Sequence, residues 1–352
     1  MEKIVIHGPG GYERLKLEEH PTPNPKPGEV LIRTEASGVN YADVAVRWGL
    51  YESAKKYVGW PITPGFEYAG TVERIGDGVI HLKTGDRVFG ITRFGAYSTH
   101  VVVPGHQVFP LPTKLSYEEG AGFPAVYMTA YHALFQNVIV RKGMTLLVHS
   151  AAGGVGTALL QLGKIAGCKV VGVVGSSHKV ETASKFGADH VIDKSKEDLW
   201  KRAEQIAPQG YDVILDANGV STLKQSYKHL APTGKLISYG FHSMLPKSGG
   251  RVNYLALAWN YLRTPRFNPI QMTNENRSLI TFNVSFLFDR TDLLEEGMRD
   301  LMRWTAEGKL QAPKVTCYAL DDVAKAHQDI ESGSTTGKLI LSTQKRARAL
   351  VH

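Results

Sequence analysis

The chain has 352 residues, 43% of them hydrophobic and 21% charged, and a formal net charge of +8. That length predicts two domains, each with its own core, and no apolar run reaches the ~18 residues that a membrane span needs. With only Cys168 and Cys317 there is no disulfide framework, and a reducing compartment is expected. The first residues, MEKIVIHGPGGYERL, lack the apolar core of a signal peptide, so a cytoplasmic protein is expected. The positive charge reads as a solvated basic surface plus a pocket for phosphates, with no nucleic-acid partner. Its densest cluster, Lys345-Arg346-Ala347-Arg348, reads as a frayed tail.

Along the chain, Pro21, Pro23, Pro25 and Pro27 mark an extended connector. Short β-branched runs at 29–33, 70–75 and 87–89 follow, punctuated by Gly76, Gly78 and Gly85, and predict an irregular, barrel-like β domain. Near residue 116 the pattern changes. Ser116 with Glu119 three residues on is a capping box that starts a helix. Strands at 145–149, 169–174, 190–192, 212–216 and 235–239 then alternate with helices at about 155–166, 177–186, 195–206 and 221–230. This βαβα order predicts a parallel, doubly wound sheet, so the fold class is α/β. Residues 241–280 interrupt the rhythm with a segment, 251–263, that is helical in period and rich in aromatics. A strand-like run at 280–286, an amphipathic helix at roughly 291–308 and a final strand at 337–341 complete the chain. That last strand is placed to return to the first domain.

The strongest local signal is the run from Thr145 to Gly156. A buried strand enters a turn of Ala151, Ala152, Gly153 and Gly154, and a helix leaves through Val155 and Gly156. Against G-x-G-x-x-G the first position is Ala151, while Gly153 and Gly156 fit. A strand before and a helix after supply the context that a dinucleotide site requires. The competing reading is a strand–helix packing turn without a ligand. An NAD site places Asp or Glu about 20 residues on. Here the second strand ends in Gly175-Ser176-Ser177-His178-Lys179, with no carboxylate. Ser176 and Lys179 suit a 2′-phosphate, and Lys194 after the third strand adds charge, so NADPH is the expected cofactor. Each lysine alone would pass for an ordinary solvated one. Zinc sites need clustered Cys, His or carboxylates. The thirteen histidines show no HExxH and no pairing with cysteine, and no metal is expected.

With these residues in hand, the sequence resembles the medium-chain dehydrogenase/reductase superfamily, in its zinc-free quinone oxidoreductase (zeta-crystallin-like) branch. The resemblance runs over nearly the whole chain. It rests on residues 36–43, 63–67, 85–88, 151–156 and 216–219, taken in that order. Within the branch it is similar to the vesicle amine transport protein (VAT) group, which shares an inserted helical segment like 241–270 and a motif like Phe282-Asn283-Val284-Ser285-Phe286-Leu287. The resemblance implies a GroES-like catalytic domain of residues 1–119 with 289–352. It also implies a Rossmann NADPH domain of 120–288 and a homodimer. Where zinc-dependent relatives carry their first metal ligands, this chain has Asn40 or its neighbours and Phe66.

Carried over by position, Asn40 faces the nicotinamide and substrate, and Thr129 touches the nicotinamide side of the cofactor. Ser176 and Lys179 hold the 2′-phosphate, while Lys194 stands where quinone reductases often have Tyr. Asn218, Tyr239 and Gly240 lie at the ends of later strands, and Phe286 and Leu287 flank the nicotinamide. A Tyr that some quinone reductases place five positions after the Asn is Ala45 here, which makes Tyr51 the substitute hydroxyl. The expected activity is hydride transfer from NADPH to an electron-poor quinone or related conjugated carbonyl. Asn40 or Tyr51 would bond the oxygen that gains charge. Reduction of carbon–carbon double bonds in enones or enoyl groups is the alternative. A different class of function, lipid or membrane-surface binding beside a residual cofactor site, is motivated by Trp259, Tyr261, Arg263, Arg266 and Phe267. A lid or dimer contact, burying one face of 251–267 beside the cleft or against a second subunit, is the reading preferred for that insertion.

Overall fold

The computed structural model describes residues 1–245 and 252–344. The tail cluster at 345–348 and positions 246–251 of the expected insertion lie outside them.

Two sheets organise the chain. Six strands form the first, in the order His190–Asp193, Lys169–Val174, Thr145–Val148, Tyr211–Asp216, Leu230–Ser238, Ser278–Thr281, and every pairing is parallel. Numbered along the chain this is 3-2-1-4-5-6, a doubly wound sheet. Its strands are nearly continuous apolar runs because helices cover both faces. Successive side chains alternate between two cores. Leu146, Val148, Val170 and Leu215 meet Leu159 and Leu162 on one face. Leu147, Val171 and Ile214 meet Leu223 and Tyr227 on the other.

The second sheet runs Val315–Ala319, Lys338–Ser342, Glu29–Val39, Glu67–Ile75, Arg87–Ile91, Val108–Pro110, and His100–Pro104 also pairs with Glu29–Val39. The final strand does return: Leu339 lies opposite Val39 and Ser342 opposite Ala36 in antiparallel register. The helix start at 116 is also as expected. Ser116 Oγ accepts the Glu119 N–H at 3.1 Å, and the Glu119 carboxylate accepts the Ser116 N–H at 2.9 Å, opening helix Tyr117–Ala121. Helix Thr291–Ala306 packs against helix Pro124–Tyr131, where the Tyr131 hydroxyl donates to Glu296 and Asp300.

Three readings of the sequence are corrected. The strand expected over 280–286 ends at Thr281, and Val284–Phe286 is a 3₁₀ turn. Its cause is Asn283, whose side chain accepts the Ser285 N–H at 3.0 Å and diverts the backbone from the sheet. The helix expected over 195–206 begins only at Leu199, because Asp198 caps the N–H groups of Trp200 and Lys201. The insertion is two helices, Tyr254–Leu262 and Pro269–Glu275, capped by Asn253 and Asn268. The first lies beside the turn His242–Met244. It was expected to bury one face beside the cleft or against a second subunit, and within this chain none of its residues is buried. Tyr254, Leu255, Trp259, Tyr261 and Leu262 are all exposed. Phe267 and Met272 anchor the insertion, with Phe267 5.1 Å from the Tyr227 ring.

Candidate active site and cofactor cleft

The parallel sheet reverses its winding between Thr145–Val148 and Tyr211–Asp216, and a crevice opens at the carboxyl ends of those strands. The expected Gly-rich turn fills this point. Ser150 holds φ 54° and its carbonyl accepts the Gly153 N–H at 3.0 Å. Gly153 caps helix Gly154–Ile165, whose first internal bond is Thr157 N–H to Gly153 O at 2.9 Å. The N–H groups of Gly154, Val155 and Gly156 precede it and are left for an anion at the positive end of the helix. Gly156 is required by packing, since a Cβ there would run into the Ser150 carbonyl and the Ala151 backbone. The turn is tied to the second sheet, because the Gly337 N–H donates to the Ala152 carbonyl at 2.9 Å.

At the end of strand Lys169–Val174, Gly175 is exposed, and a Cβ on it would find only the Lys194 side chain, 3.6 Å away. Lys194 therefore leans over the same strand end as Ser176 and Lys179. Burial, and then the Lys194 ammonium, push the Lys179 pKa below the ordinary lysine value. The nearby Asp193 carboxylate is occupied by the Ser177 and Ser195 hydroxyls, each at 2.6 Å. Lys179 Nζ donates to the Gly333 carbonyl, and His178 Nε2 lies 2.9 Å from the Ser334 carbonyl. Two cations thus stand close together beside Gly175, where a dianionic phosphate would relieve their repulsion.

Asn40 follows strand Glu29–Val39 of the second sheet. It precedes helix Tyr41–Arg47 with φ −120°, an extended conformation, and its N–H donates to Asp43 Oδ2 at 2.8 Å. Its side chain meets two residues that sequence reasoning left out. Asn40 Nδ2 donates to Glu67 Oε1 at 2.9 Å, and Lys338 Nζ donates to Asn40 Oδ1 at 2.6 Å. Lys338 and Glu67 are themselves a buried ion pair at 2.6 Å. No sequence signal marked Lys338 for burial, since Lys169 likewise opens an apolar strand and stays exposed. Glu67 sat in the quoted segment 63–67, but nothing local named its partner.

The remaining expected residues have these places. Tyr51 meets the 283–286 turn, its hydroxyl 2.9 Å from Asn283 Oδ1. Phe286 is partly exposed at 39%, with Tyr57 6.0 Å away, and Leu287 closes the turn through its N–H to Val284 O. Thr129 spends its hydroxyl on Ala125 O within its own helix. Asn218 accepts the Ser150 hydroxyl at 3.1 Å, which joins the two strand ends at the crevice. Gly240 packs closely on the Ala217 backbone. Tyr239 stacks on Phe282 at 6.4 Å, and its buried hydroxyl has no hydrogen-bond partner among the described residues. The expected residues thus fall in separate groups, Lys179 and Lys194 by the end of strand Lys169–Val174 and Asn40 with Glu67 and Lys338. Across the cleft, Tyr41 and His242 pack ring on ring at 4.3 Å. Burial raises the Tyr41 pKa to about 12 and lowers that of His242 to about 4, which keeps both neutral.

Known proteins share this fold. Residues 26–113 match the alcohol dehydrogenase GroES-like domain family and residues 186–341 the zinc-binding dehydrogenase family. The synaptic vesicle membrane protein VAT-1 homolog of Danio rerio is 35% identical over 342 residues, covering 97% of this chain and 70% of that protein. The chain belongs to the medium-chain dehydrogenase/reductase superfamily. It falls in the zinc-free quinone oxidoreductase (zeta-crystallin) branch and is related to the VAT-1 proteins. Human quinone oxidoreductase is 31% identical over 345 residues, covering 97% of each chain. The crystal structure of Escherichia coli quinone oxidoreductase complexed with NADPH superimposes with a TM-score of 0.84 at 28% identity, over 97% of this chain and 100% of that one. The superfamily architecture, a GroES-like β domain followed by a Rossmann-like domain, is the one described above. Among the described residues, no group of three or more His, Cys, Asp or Glu is placed to hold a metal, and no helix is long and apolar enough to cross a membrane.

Proposed function

We propose that this protein is a zinc-independent, NADPH-dependent reductase of quinones or related conjugated carbonyls. The convergence of Lys179, Lys194 and Ser176 on one strand end carries the cofactor choice, since that end lacks the carboxylate an NAD ribose would need. Family membership among quinone oxidoreductases supports the reaction. NADPH, when bound, supplies the hydride. The chain's own residues bind and orient it. The first-turn N–H groups of Gly154, Val155 and Gly156, with Ala152 and Gly153 before them, take the pyrophosphate. Ser176, Lys179 and Lys194 take the 2′-phosphate beside Gly175. Thr129, Asn218, Tyr239, Gly240, Phe286 and Leu287 line the path to the nicotinamide. The orphaned Tyr239 hydroxyl is a ready donor there. Asn40 donates to the substrate oxygen that gains negative charge, and Tyr51 holds the 283–286 turn through its hydroxyl. The domain division of 1–119 with 289–352 against 120–288 belongs to this reading, with helix Thr291–Ala306 as the packing link.

NADPH oxidation against a panel of quinones, enones and aldehydes tests the proposal. Turnover of quinones with NADPH, and far slower turnover with NADH, is expected. Enone reduction in place of quinone reduction would select the double-bond reductase alternative, and no oxidation of NADPH by any acceptor would overturn the reading.

We further propose a cytoplasmic homodimer. Strand Ser278–Thr281 ends the parallel sheet with an open edge, a site where a second copy can add. The exposed aromatic helix Tyr254–Leu262, with Arg263 and Arg266 after it, favours a second reading in which this face meets a membrane surface. Flotation with anionic and neutral liposomes separates the two, since a subunit contact predicts no flotation.

A further inference from the structure

We propose that Lys338 and Glu67 are positioning residues that lock the Asn40 side-chain amide as a hydrogen-bond donor, an inference that rests on the reductase reading above. The assignment follows from counting donors and acceptors. Lysine can only donate, with three N–H groups. Lys338 Nζ has three acceptors in reach: Val39 O at 2.8 Å, Asn40 Oδ1 at 2.6 Å and Glu67 Oε1 at 2.6 Å. Its capacity is therefore filled, and Asn40 must turn its oxygen toward Lys338. Glu67 is equally committed. Oε1 accepts from Asn40 Nδ2 and Lys338, and Oε2 accepts the Ala125 N–H at 2.8 Å.

With Oδ1 spent on Lys338 and one Nδ2 hydrogen on Glu67, the other Nδ2 hydrogen faces only the distant Gly38 carbonyl, at 3.5 Å. It is the one strong polar group of this half-buried side chain left for a ligand. A flipped amide would set an N–H against the ammonium and offer an acceptor to the substrate, which is useless to an oxygen gaining negative charge. The same pair strengthens the donor. An ammonium on Oδ1 withdraws electron density from the amide, and hydrogen bonds in series polarise one another. Because Glu67 balances Lys338 within a nearly water-free site, the polarisation comes without a net buried charge. Lys338 itself keeps no free hydrogen, so it acts through Asn40 rather than on the substrate.

The test uses Lys338→Met combined with Glu67→Gln, which removes both charges together, and Lys338→Arg, which keeps a cationic donor. In cofactor-free protein labelled with ¹⁵N-asparagine, the Asn40 side-chain signals are identified by their loss in Asn40→Ala. The double variant should shift them and narrow their separation, and Lys338→Arg should largely preserve them. With NADPH and a quinone, the double variant should lower kcat about tenfold and leave the NADPH Kd within about twofold. It should cause no further loss when placed on Asn40→Ala. Unchanged amide signals in the double variant, their collapse in Lys338→Arg, or an equal kcat loss with and without Asn40 would each overturn the proposal. If unmodified protein oxidises no NADPH, the reductase reading fails, while the amide signals still judge the Lys338–Asn40 assignment.

Discussion

The Tyr51 hydroxyl donates to Asn283 Oδ1 at 2.9 Å, and this bond pins the catalytic-domain loop to the turn that carries Phe286 across 232 positions of sequence. The same oxygen accepts the Ser285 N–H and hydroxyl, so one asparagine shapes the turn and receives the clamp. Burial raises the Tyr51 pKa, which keeps the hydroxyl protonated and donating. Tyr51→Phe should cost about 1 kcal/mol of stability and lower turnover a few-fold through a loosened Phe286. The alkaline limb of the pH–rate profile should stay where it is. Urea denaturation and a pH series of kcat check this, and a displaced alkaline limb would instead mark Tyr51 as the proton donor.

Lys179 should set the preference for NADPH over NADH. Its ammonium already carries the cost of burial and of Lys194. A charge-assisted bond to the 2′-phosphate should be worth roughly 1.5–3 kcal/mol. Lys179→Ala should therefore weaken NADPH binding by about ten- to a hundredfold and leave NADH binding nearly unchanged. Fluorescence titration of both cofactors measures the gap, and equal affinities in the unmodified protein would refute the role.

Asp43 links the site to pH. Its carboxyl is fully buried, and burial raises its pKa to about 7 despite hydrogen bonds from Asn40 N–H, Gly65 N–H and the Tyr97 hydroxyl. In the unfolded chain an aspartate ionises near ~3.9. Between these values the folded protein holds a proton that the unfolded chain has released. The resulting stability is complete below the unfolded pKa and is lost as pH rises through about 7. Asp43→Asn removes this dependence. The stability of the unmodified protein relative to the variant should therefore fall by on the order of 3 kcal/mol from pH 4 to pH 8. Urea denaturation of both proteins at intervals across that range checks it, and a pH-independent difference would refute it.

Trp259 reports on the insertion. Its side chain is largely exposed, as are those of Leu255 and Tyr261. Replacing Leu255 and Trp259 with Glu should leave the melting temperature of an isolated subunit unchanged, because neither supports the core. If a second copy covers this helix, the double substitution should shift the mass measured by light scattering toward the monomer. If a membrane covers it, the substitution should abolish liposome flotation and leave the mass alone.

The sequence determined the local features, because each depends on neighbours in the chain. Valine-rich runs alternating with helices fixed the parallel sheet, and Ser116 with Glu119 fixed a helix start. The glycines after Val148 fixed a strand-to-helix turn, and the missing carboxylate at 175–179 pointed to NADPH. Only the tertiary structure decided which distant groups share a charge. Lys338 reaches Asn40 across 298 positions because the last strand pairs with Glu29–Val39, and Tyr51 meets Asn283 because the two sheets face one cleft. It also decided that helix Tyr254–Leu262 of the insertion has no residue buried within its own chain, while Phe267 and Met272 after it pack on the core. Periodicity and turn chemistry are written in spacings of two to four residues. A buried ion pair is satisfied by any partner the fold delivers, and nothing in the local sequence names that partner.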